Sequence, residues 1–428
     1  MDIREVNTIL FLRPTQSLTI FLQQLGRGLR LAPGKECLTV LDFVGQANRH
    51  YNFAEKFDAL TESGTKGTIG EIQDGFVDVP RGCSIQLERK ARDIILENIN
   101  AAVGHSWSRM LEGIRTFEED TGKTLTLEHF LEAYHLDLTQ LYRDRKHSFA
   151  GLLAAAGRGE PLPDTEETRL FTAALYRIAQ IDSRRWIAFL EDTFDNLETL
   201  RAEDLSPLQY RMANMLQFTV YRKTYGACGF PDILEVFRRA KAQGPLYREI
   251  REVLALDKGR IAFVDQPVDL GFDCPLDLHC HYTRDQIFVA LDYENTAAVR
   301  QGVLWVKEHR IDVLINTLNK TEKDYSPSTM YEDYSINEHL FHWQSQVTTS
   351  ADSPTGQRYI HHDRENSQVI LFVKEYKKDA YGHAAPFVYL GKACYFSHEG
   401  SRPMSIIWRL EEPIPADFIR KSGKLTAQ

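Results

Sequence analysis

Val369-Ile370-Leu371-Phe372-Val373, Phe387-Val388-Tyr389-Leu390 and Met404-Ser405-Ile406-Ile407-Trp408-Arg409-Leu410 decide the character of the C-terminal part of this chain. Each run is short, rich in β-branched and aromatic residues, and bounded by turn residues, the pattern of strands. Gly302-Val303-Leu304-Trp305-Val306 and Ile311-Asp312-Val313-Leu314-Ile315 read the same way, as do Ile261-Ala262-Phe263-Val264 and Gln286-Ile287-Phe288-Val289. A β-rich domain, barrel or sandwich, is expected over 259–428.

Working back from there, 84–258 has helical periodicity. Leu87, Ala91, Ile94, Ile95 and Ile99 form one apolar stripe, and Phe130, Leu131, Tyr134, Leu138 and Leu141 another. Ser206-Pro207 starts a strong helix, with serine as N-cap, proline in the first turn, and Leu208, Met212, Met215, Leu216 and Val220 on its apolar side. Pro231 and Pro245 open two shorter helices. Residues 58–83 are a connector, because Glu62 to Gly70 carries turn chemistry without apolar periodicity. Residues 1–57 read as one β-α-β unit: Thr8 to Leu12 as a strand buried on both faces, Ser17 to Leu25 as a helix, and Cys37 to Val44 as a second buried strand. Short links imply a right-handed parallel crossover. Two strands and one helix cannot bury a sufficient core. The fold class is therefore multidomain α+β: a partial α/β unit, a helical region and a β-rich domain.

The chain has 428 residues, 43% of them hydrophobic, which suits roughly three domains and rules out wholesale disorder. No uncharged apolar run reaches the about 18 residues a membrane span needs, and the N-terminus lacks signal-peptide character. Six scattered cysteines suit a reducing compartment, so a cytoplasmic location is expected. The net charge of -9 excludes a globally basic nucleic-acid coat protein but not a local basic groove.

The sharpest motif is Gln23-Gln24-Leu25-Gly26-Arg27-Gly28-Leu29-Arg30. On a continuing helix Gln23, Arg27 and Arg30 share a face. Paired guanidinium groups suit a polyphosphate, because arginine offers fixed bidentate donors and keeps its charge. The bland alternative is an amphipathic helix with solvated arginines. The segment resembles the end of the second RecA-like domain of superfamily-two (DEAD/DEAH-like) helicases. There a strand, an Arg-Pro-Thr and a Gln-Gln-x-Gly-Arg-x-x-Arg helix follow in this order, as Arg13-Pro14-Thr15, Gln23 to Arg30 and Leu41-Asp42-Phe43 do here. The resemblance implies that Arg27 and Arg30 are arginine-finger residues and that Gln23, Gly26, Arg27 and Arg30 meet the phosphates of ATP. The chain has no Walker A loop: at Gly28 to Glu36 the glycine spacing is too long and Lys35 precedes Glu36 rather than Ser or Thr. It has no acidic D-E-x-H box on a strand either. ATP and Mg are thus expected only with a complete helicase core, and the N-terminal core, fused or separate, is an expected partner.

Residues from about 80 onward resemble a domain of unknown function that often follows the core of bacterial restriction-type and defence helicases. The stretches that carry this are FVDVPRGC (76–83), LHCHYT (278–283), LNKTEKDYSPSTMYED (318–333), FHWQSQ (341–346), GQRYI (356–360), and SHEGSRP (397–403) with Trp408. Within it, residues 317–362 are dense in polar and aromatic side chains. Lys320, Lys323, Tyr331, His342, Trp343, Gln344, Gln346 and Arg358 are the candidates for contacting DNA, the lysines and Arg358 at phosphates and Trp343 by stacking. The alternative is a structural loop-rich edge whose polar groups satisfy one another. Asp312 with Lys320, Glu322 and Lys323 only loosely matches a metal-nuclease pattern, because adjacent Glu322 and Lys323 would face opposite ways on a strand. Cys274, His279, Cys280 and His281 do not match a zinc spacing, and no metal is expected. The functional expectation is a C-terminal piece or subunit of a DNA-dependent ATPase or helicase in bacterial restriction or phage defence. The alternatives are a standalone nucleic-acid-binding or regulatory protein and, third, a metal-dependent nuclease.

Overall fold

The computed structural model describes residues 5–12, 18–30, 32–35, 37–42, 84–88, 107–134, 136–299, 302–319, 333–379 and 381–415, together with Phe57, Leu60, Ile72, Phe76, Ala91, Arg92, Ile95 and Phe418. The chain divides into two compact units. One is Met1–Leu141 with Ala155–Arg158, the other Tyr142–Ala154 with Gly159–Gln428. The fold is α+β and multidomain, with a mixed sheet in the C-terminal region.

In the first unit β1 (Thr8–Phe11), α1 (Leu18–Gly28) and β2 (Thr39–Asp42) form a parallel β-α-β arrangement, with Thr8 opposite Thr39 and Phe11 opposite Asp42. Phe21 of α1 packs on Phe11 at 5.2 Å between ring centroids. Gly28 is fixed by close approach, since a Cβ there would lie 2.5 Å from Ile9 Cδ1 and 2.9 Å from both Leu38 methyls. The strands are not buried on both faces: Leu10 is 54% and Leu12 72% exposed, and Val40 and Leu41 are also exposed. One helix over a two-stranded sheet leaves apolar surface uncovered. Farther on, α2 (Trp107–Thr121), α3 (Leu127–Ala133) and α4 (Leu138–Leu141) bury Phe117, Phe130, Leu131, Leu138 and Leu141, and Thr126 caps α3.

The second unit holds α5 (Phe149–Ala155), α6 (Glu166–Ile178), α7 (Arg184–Asn196), α8 (Pro207–Val220), α9 (Glu235–Ala242), α10 (Pro245–Arg260) and α11 (Arg284–Ala290). Ser206 caps α8 in a capping box with Gln209, and Pro207 occupies its first turn. Trp186 of α7 is fully buried and donates its indole N–H to Met212 O of α8 (3.1 Å). The eight-stranded sheet is built from β3 (His281–Tyr282), β4 (Val303–Val306), β5 (Ile311–Asn319), β6 (Tyr334–Ser335), β7 (Leu340–Gln344), β8 (Gln368–Tyr376), β9 (Phe387–Glu399) and β10 (Ser405–Leu410). Its order is β4-β5-β8-β9-β10-β7-β6, with β3 on β9. Its pairs are antiparallel except β5 with β8. The connection between those two parallel strands carries β6, β7 and α12 (Pro354–Ile360).

Two expected strands are not strands. Gln286 to Val289 lies in α11, where Thr283 and Gln286 form a capping box and residues 285–290 are all buried. A short buried helix segment and a buried strand can share the same apolar run, here Ile287-Phe288-Val289. Ile261 to Val264 is irregular, because the Arg184 guanidinium binds the carbonyls of Ile261 and Phe263 and pairs with Asp265, while Val264 is 81% exposed.

Glu249 of α10 is buried, and its carboxylate accepts from Phe149 N (2.6 Å), Ala150 N (2.9 Å) and the Tyr142 hydroxyl (2.8 Å). Burial raises this carboxyl to about 7 against the pull of the three donors. In the unfolded chain a glutamate titrates near about 4.3, so the folded state holds the proton more tightly. Its contribution is full below about pH 4 and is lost as pH rises through about 7. Urea midpoints of the parent should therefore fall from about pH 5 to about pH 8, and Glu249→Gln, which cannot ionise, should flatten that fall. Parallel pH profiles for the two proteins would contradict this account.

Candidate functional site

The α1 end of the β-α-β unit presents Gln23, Gly26 and Arg27 to solvent. The helix stops at Gly28, so Arg30 is not on its continuing face: it sits in the bend beyond, also exposed. Lys35 holds that bend, because its ammonium donates to Gly28 O and to Arg30 O (2.9 Å). A cation on the last carbonyls of a helix is favourable. Two guanidinium groups are thus delivered at one end of the unit, one by the helix and one by the Lys35-braced bend. Arg13-Pro14-Thr15 and Phe43 lie outside the described residues.

The expected DNA-contacting cluster divides. Lys320, Lys323 and Tyr331 lie outside the described residues, as does Glu322. β7 alternates: Phe341 and Trp343 point inward, His342 and Gln344 outward, with half-buried Gln346 just past the strand. Trp343 is only 3% exposed and packs edge-on against Tyr359 (5.5 Å) and beside Trp408 (6.3 Å). It belongs to the core and has no free face for a base, which corrects the stacking role expected of it. Arg358 is also committed internally. Its guanidinium makes a two-pronged pair with Asp312 (2.7 and 2.8 Å) and stacks on Trp305 at 4.2 Å. Arg358 is thus a structural partner rather than a phosphate contact. Asp312 is fully buried, with both oxygens taken by Arg358, so the carboxylate expected in a nuclease pattern is not open to a metal. Burial raises its carboxyl, with Arg358 pulling the other way.

What remains is the outward face of β6, β7 and β10. Tyr334 stacks on His342 (4.7 Å, 17° between planes). Ile407 lies opposite His342, Ser405 opposite Gln344, and Arg409 opposite Leu340. Arg409 covers the ring of Phe396 (4.6 Å), which is 47% exposed. Tyr334, Arg409 and Phe396 were not singled out in the sequence. The alternation of Ser405, Ile407 and Arg409 against buried Ile406, Trp408 and Leu410 is the signal that marks Arg409 as outward.

The Cys274 to His281 segment is occupied with its own packing. Cys274 and Cys280 are buried; burial pushes the Cys274 thiol to about 12 and raises that of Cys280, with Asp182, Asp277 and Asp265 adding to it. His281 pairs with Asp182 (2.6 Å). Among the described residues no group of His, Cys, Asp and Glu is arranged to hold a metal ion, and none of their helices is long and apolar enough to cross a membrane.

Residues 276–421, about a third of the chain, match the family model of a domain of unknown function (DUF3427). The match covers the sheet from β3 to β10 and none of the helices before it. No curated protein matches the chain.

Two changes separate core from surface in this domain. Trp343→Ala should cost about 3–5 kcal/mol, as large core truncations do, and Arg358→Ala should cost a similar roughly 3–5 kcal/mol by stranding the Asp312 charge. Chemical denaturation measures both. A Trp343→Ala protein as stable as the parent would place the indole outside the core.

Proposed function

We propose that the chain is the C-terminal, DNA-binding part of an ATP-dependent helicase of bacterial restriction or phage defence. The observation that carries this reading is the parallel β1-α1-β2 unit, which presents Arg27 and Arg30 outward and leaves Leu10, Leu12, Val40 and Leu41 exposed. Such a unit makes physical sense as the edge of a larger parallel sheet, whose remaining strands would cover the apolar residues and hold ATP and Mg. The arginines would then meet the charge that develops on the transferring phosphoryl group. The matched domain of unknown function is one that follows helicase domains, which supports the same assignment.

DNA would lie on the outward face of β6, β7 and β10. His342 with Tyr334 offers an aromatic platform, Arg409 a phosphate contact, and Gln344 a group able to read base edges. The second reading, a standalone nucleic-acid reader, draws on this face alone, because it needs no ATP site.

By itself the chain should release no phosphate from ATP, with or without DNA. Once a RecA-like core is supplied in fusion or in trans, hydrolysis should appear and Arg30→Ala should reduce it about a thousandfold. Turnover by the isolated chain that vanishes in Arg27→Ala would refute the first statement. A reconstituted enzyme indifferent to both arginines would reduce α1 to a structural element.

DNA affinity should fall steeply with salt, and Arg409→Ala should lower the slope by about one. His342→Ala should weaken binding by about 1–3 kcal/mol, and Gln344→Ala should alter sequence preference more than affinity. Gel-shift titrations at two salt concentrations measure all three. A parent without affinity at low salt ends the DNA reading.

A further inference from the structure

Three arginines from separate elements of the second unit converge. Arg177 sits in the last turn of α6, and its Nε–H donates to Thr219 O near the end of α8 (2.7 Å). Arg222 follows α8 by two residues, so this bond brings the two side chains to the same helix end. Arg145 lies in the turn before α5. In that turn the carbonyl of Arg143 accepts from His383, whose ring packs on Tyr176, the residue before Arg177, at 4.7 Å, and the charge of Arg145 acts on Arg177.

The acids around them are few. Asp285, buried in the first turn of α11, takes Arg222 Nε at 3.1 Å. Asp144 is used by its own turn, accepting from Lys146 N, His147 N and the His147 ring. Asp379 accepts from the Tyr176 hydroxyl and from Tyr381 N and His383 N. Among the described residues Asp285 is the one carboxylate paired with any of the three guanidinium groups. Among the described residues Arg145 Nε is buried without an acceptor. Burial, with the charges of Arg145 and Arg222, lowers Arg177 to about 9.

Capping of helix C-termini accounts for Arg177, in the last turn of α6, but not for Arg145, which lies in the turn between α4 and α5. Arg145 and Arg222 also hold left-handed backbone, with φ of 59° and 57°, a region that non-glycine residues occupy at a cost.

We propose that Arg145, Arg177 and Arg222 form a binding site for a terminal phosphate group. Three arginines against one aspartate leave two positive charges. A terminal phosphate carries about two negative charges near neutral pH, whereas an internal diester of nucleic acid carries one. Guanidinium forks match phosphate oxygens in pairs, which explains arginine rather than lysine at all three positions. The phosphate belongs to a free nucleotide or to a phosphorylated 5′ end of DNA.

The test uses the full chain with pyrophosphate as probe, against sodium chloride of matched ionic strength. Pyrophosphate at millimolar concentration should raise the melting temperature, and calorimetry should show about tenfold weaker binding in Arg145→Gln and in Arg222→Gln. Without the anion, Arg145→Gln should melt no lower than the parent, since it relieves repulsion. Competition then separates the two sources. Displacement of pyrophosphate by ATP assigns a free nucleotide, and displacement by a 5′-phosphorylated oligonucleotide but not its 5′-hydroxyl twin assigns a DNA end. No stabilisation beyond that of sodium chloride, or an equal response from the parent and both variants, overturns the proposal.

Discussion

The C-terminal sheet depends on one buried charge pair. Asp312 lies fully buried on β5, inside the one parallel pairing that the eight-stranded sheet has among the described residues, and Arg358 of α12 reaches it with both arms. Parallel neighbours require a long excursion between them. Here the excursion contains β6, β7 and α12, and the ion pair ties its far end back to the strand where it began. Such a pair adds little net stability over an apolar replacement, but removing one partner is severe. It joins α12 to β5 across 46 residues of sequence. Trp305 stacked on Arg358 seals one side, while Tyr359, the next residue of α12, enters the aromatic cluster of Trp343 and Trp408. Position and packing are thus set by the same short helix.

That arrangement decides which polar groups face outward. With Trp343 and Arg358 committed inward, the outward side of β6, β7 and β10 keeps Tyr334, His342, Gln344 and Arg409. The family match begins at residue 276, yet the first residues within it bond to the start of α7 outside it: Asp277 accepts from the N-cap Ser183 and pairs with Arg185, and His281 pairs with Asp182 just before the helix. The loop between β8 and β9 likewise reaches α6 through Asp379 and Tyr176. Helices and sheet of the second unit share polar contacts that neither could satisfy alone, and the cationic cluster arises at this junction.

Local signals in the sequence determined much of the architecture. The parallel β-α-β unit, the start of α8 at Ser206-Pro207, and strands β4, β5, β8, β9 and β10 follow from caps, turn residues and periodicity, which act within a few residues. The exposed arginine motif was legible for the same reason, although the helix end at Gly28 set Arg30 apart. Only the tertiary structure decided the rest. Gln286 to Val289 has no period to read, and its helix is selected by the capping box and by burial on all sides. Ile261 to Val264 loses strand pairing to the side chain of Arg184, far away in sequence. Trp343 and Arg358 look like surface groups in a polar stretch, until Trp408 and Asp312 arrive from strands distant along the chain. Arg145, Arg177 and Arg222 share no motif, because only packing brings their three segments together. Periodicity reports which way a side chain faces within its own element; its partner, and hence its role, is set by long-range contacts that no local pattern encodes.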